Sequence, residues 1–389
     1  MTLAGPLADR LPVAAEGAAS WRDRLASLRN GLYASPAFQR WAARLPVVRW
    51  VARSRSRALF DVVAGFAYTQ TLAACVRLDI FALLRDAPQT SAALAGRLSI
   101  PAEGLERLLR AAAALELVEA RDGGRWGLGA MGAPLLASPG LARLVEHNAL
   151  LYEELRDPLA LLRRPAGDRG TALAEYWPYA AAGRRSRVGA ADVAGYTALM
   201  AATVTPIAEE ILDAVPLDGA RALLDVGGGD GGFVAAVAER RPGLRLALLD
   251  LPPVAARAAR RLRDAGLADR VSVHGADFHA AALPGGADVV TLVRVLLDHD
   301  DDAVLALLRR VRDALAPGGR VVVAEPFAGV RGAEVVGDVY FGFYLWAMGR
   351  GRARRESELR GLLRAAGFRR VRTRRTRYPV QCGVMEGIA

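Results

Sequence analysis

The sequence predicts an α/β fold in which a doubly wound, mostly parallel sheet fills the C-terminal half and a helical module with a winged-helix outline precedes it. Three observations carry this reading. From Ala222 onward, short apolar runs alternate with helical segments; the first run closes on a glycine-rich turn; and residues 59–128 follow a helix–helix–hairpin pattern. A chain of 389 residues has room for two or three domains. Four segments are expected: an arm over 1–58, the winged-helix module over 59–135, a helical substrate-binding region over 136–215, and the sheet domain over 216–389.

The arm reads as basic and irregular. Trp21 to Arg57 holds nine arginines and one acid, with Trp21, Tyr33, Phe38, Trp41 and Trp50 among them and prolines at 36 and 46. Arginine beside tryptophan suits an anionic membrane surface; the same arm can equally pack on its own protein or on a dimer partner. Arg350 to Arg377 is the second basic stretch, with twelve arginines and two acids, so the net charge of +11 is concentrated in two places. No run of 18 or more residues is continuously apolar, and the longest uncharged helical stretch, Val62 to Val76, is too short to span a bilayer. The N-terminus has no signal-peptide pattern, so a cytoplasmic location is expected, with peripheral membrane association if the arm binds lipid. Cys75 and Cys382 lack CxxC spacing and are expected as buried small hydrophobes.

Within the module, Thr90 caps a helix over Ala92–Leu98, and Pro101 opens a second helix whose Leu105, Leu108, Leu109, Ala112 and Leu115 share one face. Leu117–Arg121, Asp122-Gly123-Gly124 and Arg125–Leu128 then form a hairpin. The second helix carries only Arg107 and Arg110 against Glu103, Glu106 and Glu116, a poor complement for DNA, so no nucleic-acid partner is expected. Residues 129–215 read as helical and apolar, with Tyr152, Trp177, Tyr179 and Tyr196 interspersed and Met200 one turn beyond Tyr196.

Strands of the sheet are expected at Ala222–Val226, Arg245–Leu249, Val271–Val273, Val289–Leu296 and Arg320–Ala324, with a final pair at Arg369–Arg374 and Val380–Ile388. The first ends in Asp225-Val226-Gly227-Gly228-Gly229, where glycines let backbone approach a ligand at a helix N-terminus. Gly227, Gly229 and Gly232 also satisfy the dinucleotide pattern GxGxxG, which leaves the ligand open. Asp225 favours a cationic ligand over a pyrophosphate. Asp250 ends the second strand where an acid can accept both ribose hydroxyls. Asp277 and Phe278 follow the third strand, placed to bind an adenine amino group and cover its face.

With Pro317-Gly318-Gly319, Val293-Arg294-Val295-Leu296-Leu297-Asp298 and Val323-Ala324-Glu325, these motifs resemble those of the S-adenosylmethionine-dependent O-methyltransferases acting on small molecules. The resemblance covers roughly residues 60–389. It looks most like the carotenoid branch, the hydroxyneurosporene or demethylspheroidene O-methyltransferases of purple phototrophic bacteria. It implies a Rossmann-like class I methyltransferase domain with a seven-stranded sheet, a winged-helix dimerisation domain, a homodimer, and S-adenosyl-L-methionine as cofactor. By position it implies that Gly227, Gly228 and Gly229 line the methionine part, Asp250 with Leu251 the ribose, and Asp277 with Phe278 the adenine; Arg294 contacts either cofactor or sheet edge. The substrate pocket maps onto His147, Tyr196, Met200, Tyr344 and Met348, an apolar lining that suits a long polyene alcohol. A polyketide, phenolic or chlorin acceptor keeps the same fold, as does a regulator sensing the cofactor.

Relatives carry a catalytic histidine directly before the aspartate matched by Asp298; here that position is Leu297, and a second family acid falls on Ala353. The proton acceptor is therefore sought nearby, in His299 or a water held by Asp298, with Glu325 in support and His147 as a further candidate. Alternatively, Asp298 to Asp302 cap the following helix and His299 lies on the cofactor side. Consecutive residues cannot all face one ion, so no metal site is expected.

Overall fold

The computed structural model describes residues 20–42, 44–177, 190–380 and 382–389. The chain divides into two compact units, Met1–Thr71 and Leu72–Ala389.

In the first unit the expected irregular arm is helical, with helices at Trp21–Ala34 and Pro36–Ala42 and a third starting at Pro46. Local chemistry explains the difference. Ser20 Oγ accepts from Asp23 N at 3.2 Å while Asp23 Oδ2 accepts from Ser20 N at 3.0 Å, a reciprocal capping box. Both prolines open helices, where the missing N–H costs nothing. The third helix runs unbroken to Arg77, through residue 58 where a boundary was expected, because residues 47–77 contain no proline and a single glycine. Its Val48–Arg77 portion is, by length and mean hydropathy, long and apolar enough to cross a membrane, whereas a count of strictly uncharged residues stops at Asp61.

The second unit opens with the winged-helix module. Helices Ser91–Leu98 and Ala102–Ala114 pack beside a small antiparallel sheet of β1 (Gln89–Thr90), β2 (Val118–Arg121) and β3 (Arg125–Leu128), in order β1-β3-β2. Thr90 caps the first helix, its Oγ1 accepting from Ala93 N at 3.2 Å. Leu94, Leu105, Leu109, Val118, Trp126 and Cys75 form the core. Arg107 and Arg110 are each engaged by the glutamate one turn earlier, at 2.7 and 2.9 Å.

The main sheet contains β4 (Ala222–Val226), β5 (Arg245–Asp250), β6 (Val271–Gly275), β7 (Ala287–Val293), β8 (Leu315–Glu325), β9 (Arg369–Arg374) and β10 (Gly383–Ile388). Their order is β6-β5-β4-β7-β8-β10-β9; the first five are parallel, and β10 is antiparallel to both β8 and β9. This is the Rossmann-like class I methyltransferase arrangement. Alternate residues of each strand face opposite layers. Leu223 joins Phe233, Val234 and Leu262 on one side, and Leu224 joins Leu308, Val311 and Leu359 on the other. The order of strands reverses between β4 and β7, so a crevice opens outside their C-terminal ends, where ligands of such sheets bind.

β7 stops at Val293, three residues before the expected end. Arg294 adopts φ 54°, which turns the chain out of the sheet and into a 3₁₀ turn over Leu296–Asp298. A helical layer covers this side: Pro139–Leu155, Ala172–Tyr176, Ala190–Ala214 and Phe341–Met348, the last entered through a π-helical turn at Val335–Tyr340.

Candidate active site

The glycine turn after β4 is shaped by backbone needs. Gly227 and Gly229 take φ 73° and 59°, where other residues are strained. At Gly228 a Cβ would lie 2.7 Å from both Asp225 Oδ2 and Leu248 Cδ1, whereas at Gly229 the space is open. Gly227 N donates to Leu249 O at 2.8 Å and Gly229 N to Asp250 Oδ2 at 2.8 Å, tying the turn to the end of β5. Leu251 N donates to the other Asp250 oxygen at 2.7 Å.

Asp225 is buried beneath this turn. Register pairs it with Thr291 of β7, whose Oγ1 donates to Asp225 Oδ1 at 2.6 Å. Its Oδ2 has no hydrogen-bond partner among the described residues. Burial pushes the Asp225 carboxyl up to about 7; the Thr291 bond opposes that and the Asp250 charge adds to it. Burial likewise raises Asp250 to about 6, against the two backbone N–H groups that lower it. Two acids held above their ordinary range in one crevice suit a ligand that brings positive charge and hydrogen-bond donors. An orphaned carboxylate oxygen, an open glycine cradle and a ribose-length acid fit S-adenosylmethionine, with its ammonium, sulfonium and hydroxyls.

At the end of β6, Asp277 Oδ1 accepts from His279 N at 2.8 Å, and Phe278 lies near the glycine turn, its Cε1 3.7 Å from where a Gly227 Cβ would be. The His299 ring belongs to this group. It meets His279 edge-on with centroids 4.6 Å apart and Phe278 at 5.7 Å. Leu297, two residues earlier, packs in a different cluster with Trp177, Tyr344, Leu345 and Met348. The alternation of the turn therefore sends the two side chains to separate groups.

Glu325, fully buried at the end of β8, accepts from Leu297 N at 3.0 Å. Arg354, also fully buried, donates to Leu296 O at 2.7 Å, His299 O at 2.5 Å and Asp301 Oδ1 at 2.9 Å. Between them they fix the 296–299 turn by its backbone. The aspartate run serves the same purpose. Asp300 stands at the N-cap of helix Asp301–Ala314 without a side-chain cap bond; it pairs with Arg350 at 3.3 Å, and Asp301 with Arg352 at 3.0 Å. Among the described residues no three metal-ligating side chains gather.

Arg294 reaches away from the sheet: its guanidinium donates to Thr203 Oγ1 at 2.7 Å and to Met200 O at 3.1 Å, anchoring helix Ala190–Ala214 over the end of β7. Met200 packs against the Leu297 cluster; the Tyr196 side chain lies outside the described residues. Tyr344 is the polar centre of that cluster. Its hydroxyl is 2.7 Å from His147 Nε2 and accepts from Trp177 Nε1 at 2.8 Å. Tyr340 stacks on it at 5.7 Å and donates to Asn148 Oδ1 at 2.9 Å. Burial lowers His147 to about 4 and raises Tyr344 far above its ordinary value.

Three contributors escaped the sequence reading. Thr291 was signalled by one hydroxyl within the apolar run Val289–Val293. Trp177 was visible only as an aromatic, and Arg354 was hidden among twelve arginines of one stretch.

Comparison with known proteins agrees with this geometry. Residues 182–369 match the O-methyltransferase domain family and residues 60–138 the O-methyltransferase dimerisation domain family. A demethylspheroidene O-methyltransferase of Cereibacter sphaeroides is 43% identical over 352 residues, 90% of this chain and 91% of that protein. One of Rhodobacter capsulatus is 39% identical over 343 residues, 88% of this chain and 84% of the relative. Among solved structures, a methyltransferase of calicheamicin biosynthesis with S-adenosylhomocysteine bound superposes with TM-score 0.71 at 28% identity, covering 86% of this chain and 98% of the other.

Proposed function

The chain belongs to the S-adenosylmethionine-dependent O-methyltransferase family, and from that premise we propose that its acceptor is the hydroxyl of an acyclic hydroxycarotenoid, which it converts to a methoxy group. The observation that carries this reading is the 43% and 39% identity, over most of the chain, to two demethylspheroidene O-methyltransferases. The apolar cluster of Leu297, Tyr344 and Met348, with Met200 packed against it, has the character that suits a polyene.

In this reading Asp225 and Gly227 to Gly229 hold the methionine part of the cofactor, Asp250 and Leu251 the ribose, and Asp277 and Phe278 the adenine. The cofactor supplies an electrophilic methyl group on a sulfonium. The protein contributes alignment of the acceptor oxygen and a dry cleft, and effects of that kind supply much of the rate in displacement reactions. Glu325 and Arg354 keep the turn bearing Leu297 and Asp298 in place, and Arg294 holds the helix that covers the acceptor.

The dimerisation-domain match supports a homodimer. Leu59, Phe60, Val62, Val63 and Phe66 are exposed on helix Pro46–Arg77, an apolar surface of the kind subunits bury. A substrate dissolved in lipid also gives the basic N-terminal helices a purpose at the cytoplasmic face of a membrane. Helix Trp21–Ala34 exposes Trp21, Leu25, Leu28 and Leu32 at helical spacing beside Arg22, Arg24 and Arg29.

Incubation with methyl-labelled S-adenosylmethionine and extracted pigments tests the substrate. Label should appear in a methoxycarotenoid; label entering only phenolic or polyketide acceptors would overturn the reading.

A further inference from the structure

We propose that Tyr344 and His147 form the proton relay for the acceptor alcohol: the substrate hydroxyl donates to Tyr344 Oη, and Tyr344 passes its own proton to His147 Nε2. The proposal rests on the O-methyltransferase reading and names the proton acceptor that Leu297 does not provide.

The hydrogen bonds at Tyr344 are compatible with this direction of transfer. Trp177 Nε1–H can only donate, so the 2.8 Å contact uses one lone pair of Tyr344 Oη. In the proposed relay the phenolic proton points to His147 Nε2 at 2.7 Å and the imidazole is protonated on Nδ1; the reverse direction, with Nε2–H donating to Oη, belongs to the other tautomer. Burial favours a neutral imidazole. One lone pair of Tyr344 Oη remains, and an alcohol can donate to it. Tyr344 shares its apolar cluster with Leu297, so the relay reaches that cluster although position 297 itself carries no base.

The chemistry balances. As the oxygen–carbon bond forms and the carbon–sulfur bond breaks, its electron pair leaves on sulfur and the alcohol proton moves to Tyr344 Oη while Tyr344's proton moves to His147. One positive charge disappears at the sulfonium and one appears at the imidazole, so the dry cleft gains no net charge. The Tyr176 ring, its centroid 4.6 Å from that of His147, offers an aromatic face to the imidazolium. Besides His147, the titratable groups bearing on Tyr344 are Tyr340, Asp298 and Tyr176, and each of these three adds to the burial that raises its pKa and keeps the phenol protonated at rest. Half-buried His147 then returns the proton to solvent.

The full-length protein tests this with Tyr344→Phe and His147→Gln; glutamine can accept the hydrogen bond but not the proton. Single-turnover methyl transfer at saturating cofactor should fall at least tenfold in each, consistent with the hundredfold scale of general-base effects. The double variant should be no slower than the slower single one, because the two act as a unit. Rates within about threefold of wild type, or losses that multiply, would overturn the relay. A readout independent of turnover is the ¹⁵N resonance of His147 Nε2, which should report an unprotonated acceptor and shift in Tyr344→Phe; a protonated Nε2 in the resting protein refutes the assignment. If Tyr344→Phe fails to fold, fluorotyrosine at 344 keeps the shape and changes the acidity, and an unchanged rate counts against the relay. Should wild type leave hydroxycarotenoids unmethylated, the substrate reading fails alone. The resonance and the same variants then judge the relay on whichever alcohol wild type methylates.

Discussion

Replacing Glu325 with glutamine should remove a defined part of the pH dependence of stability. Glu325 is fully buried; its Oε2 accepts from Leu297 N at 3.0 Å and its Oε1 has no hydrogen-bond partner among the described residues. Burial raises the carboxyl from 4.5 to about 7, although the Arg354 charge and the N–H groups of Leu297 and Leu296 pull it down. An acid with a folded pKa above its unfolded value binds its proton more tightly in the folded chain. Its contribution is therefore fully present below 4.5 and is lost as pH rises through 7. The gap between 4.5 and about 7 corresponds to about 3 kcal/mol. Glutamine keeps an acceptor for Leu297 N and does not titrate. Urea unfolding of the cofactor-free protein, repeated between pH 5 and 8, should show wild type losing most of that free energy relative to Glu325→Gln. Asp225 and Asp250 give slopes of the same sign in both proteins and cancel in the difference. Parallel stability curves for the two proteins would show that Glu325 does not titrate as its burial requires.

The remaining predictions concern the cofactor turn and the N-terminal helices. Asp225→Asn preserves the bond from Thr291 but removes a buried charge, and should weaken S-adenosylmethionine binding about ten- to a hundredfold by calorimetry, the worth of one charged hydrogen bond; unchanged affinity would remove Asp225 from the site. Gly228→Ala forces a methyl to 2.7 Å from Asp225 Oδ2 and Leu248, so its urea midpoint should drop by the equivalent of about 1–3 kcal/mol, and a neutral result would mean that the turn has slack. The full-length protein should bind anionic vesicles in a salt-sensitive way, and exchanging Arg22, Arg24 and Arg29 for glutamine with Trp21→Ser should abolish it; equal binding by the variant would sink the membrane role.

The sheet was legible because periodicity is local. Five parallel strands followed from apolar runs, and the glycine turn after Val226 announced its own geometry. The winged-helix module was legible for the same reason, down to the Thr90 cap. What the sequence hid depends on tertiary partners or on backbone torsion. Prolines at 36 and 46 read as breaks but stand at the first position of helices, where a missing N–H costs nothing. The early end of β7 comes from one left-handed residue, Arg294, and nothing in its identity foretells that. The aspartate run was read as a helix cap or a base; Asp300 does stand at the N-cap, with Asp301 and Asp302 in the first turn, but Asp300 and Asp301 also pair with arginines some fifty residues away, at 350 to 354. His299 drew notice as a rare residue in an acidic setting, but only the three-dimensional turn could place its ring with Phe278 and His279 and leave Leu297 facing Tyr344.

That separation bears on how a family site tolerates leucine in place of histidine. In the turn after β7 the backbone is held from both sides: Glu325 takes the Leu297 N–H, and Arg354 takes the carbonyls of Leu296 and His299. Neither contact involves the side chain at 297, so that position can change without moving the turn or the strand end beside the cofactor. Leucine there extends the apolar wall that already includes Met348 and Leu345, which favours a hydrocarbon guest. An alcohol on such a guest is a weak acid and still needs somewhere to send its proton. The polar group buried in the same cluster is the Tyr344 hydroxyl, already bonded to an imidazole and an indole on neighbouring elements. Under the proposed relay, leucine at 297 and the imidazole at 147 belong to one arrangement, in which position 297 is apolar and the proton leaves by way of Tyr344 and His147.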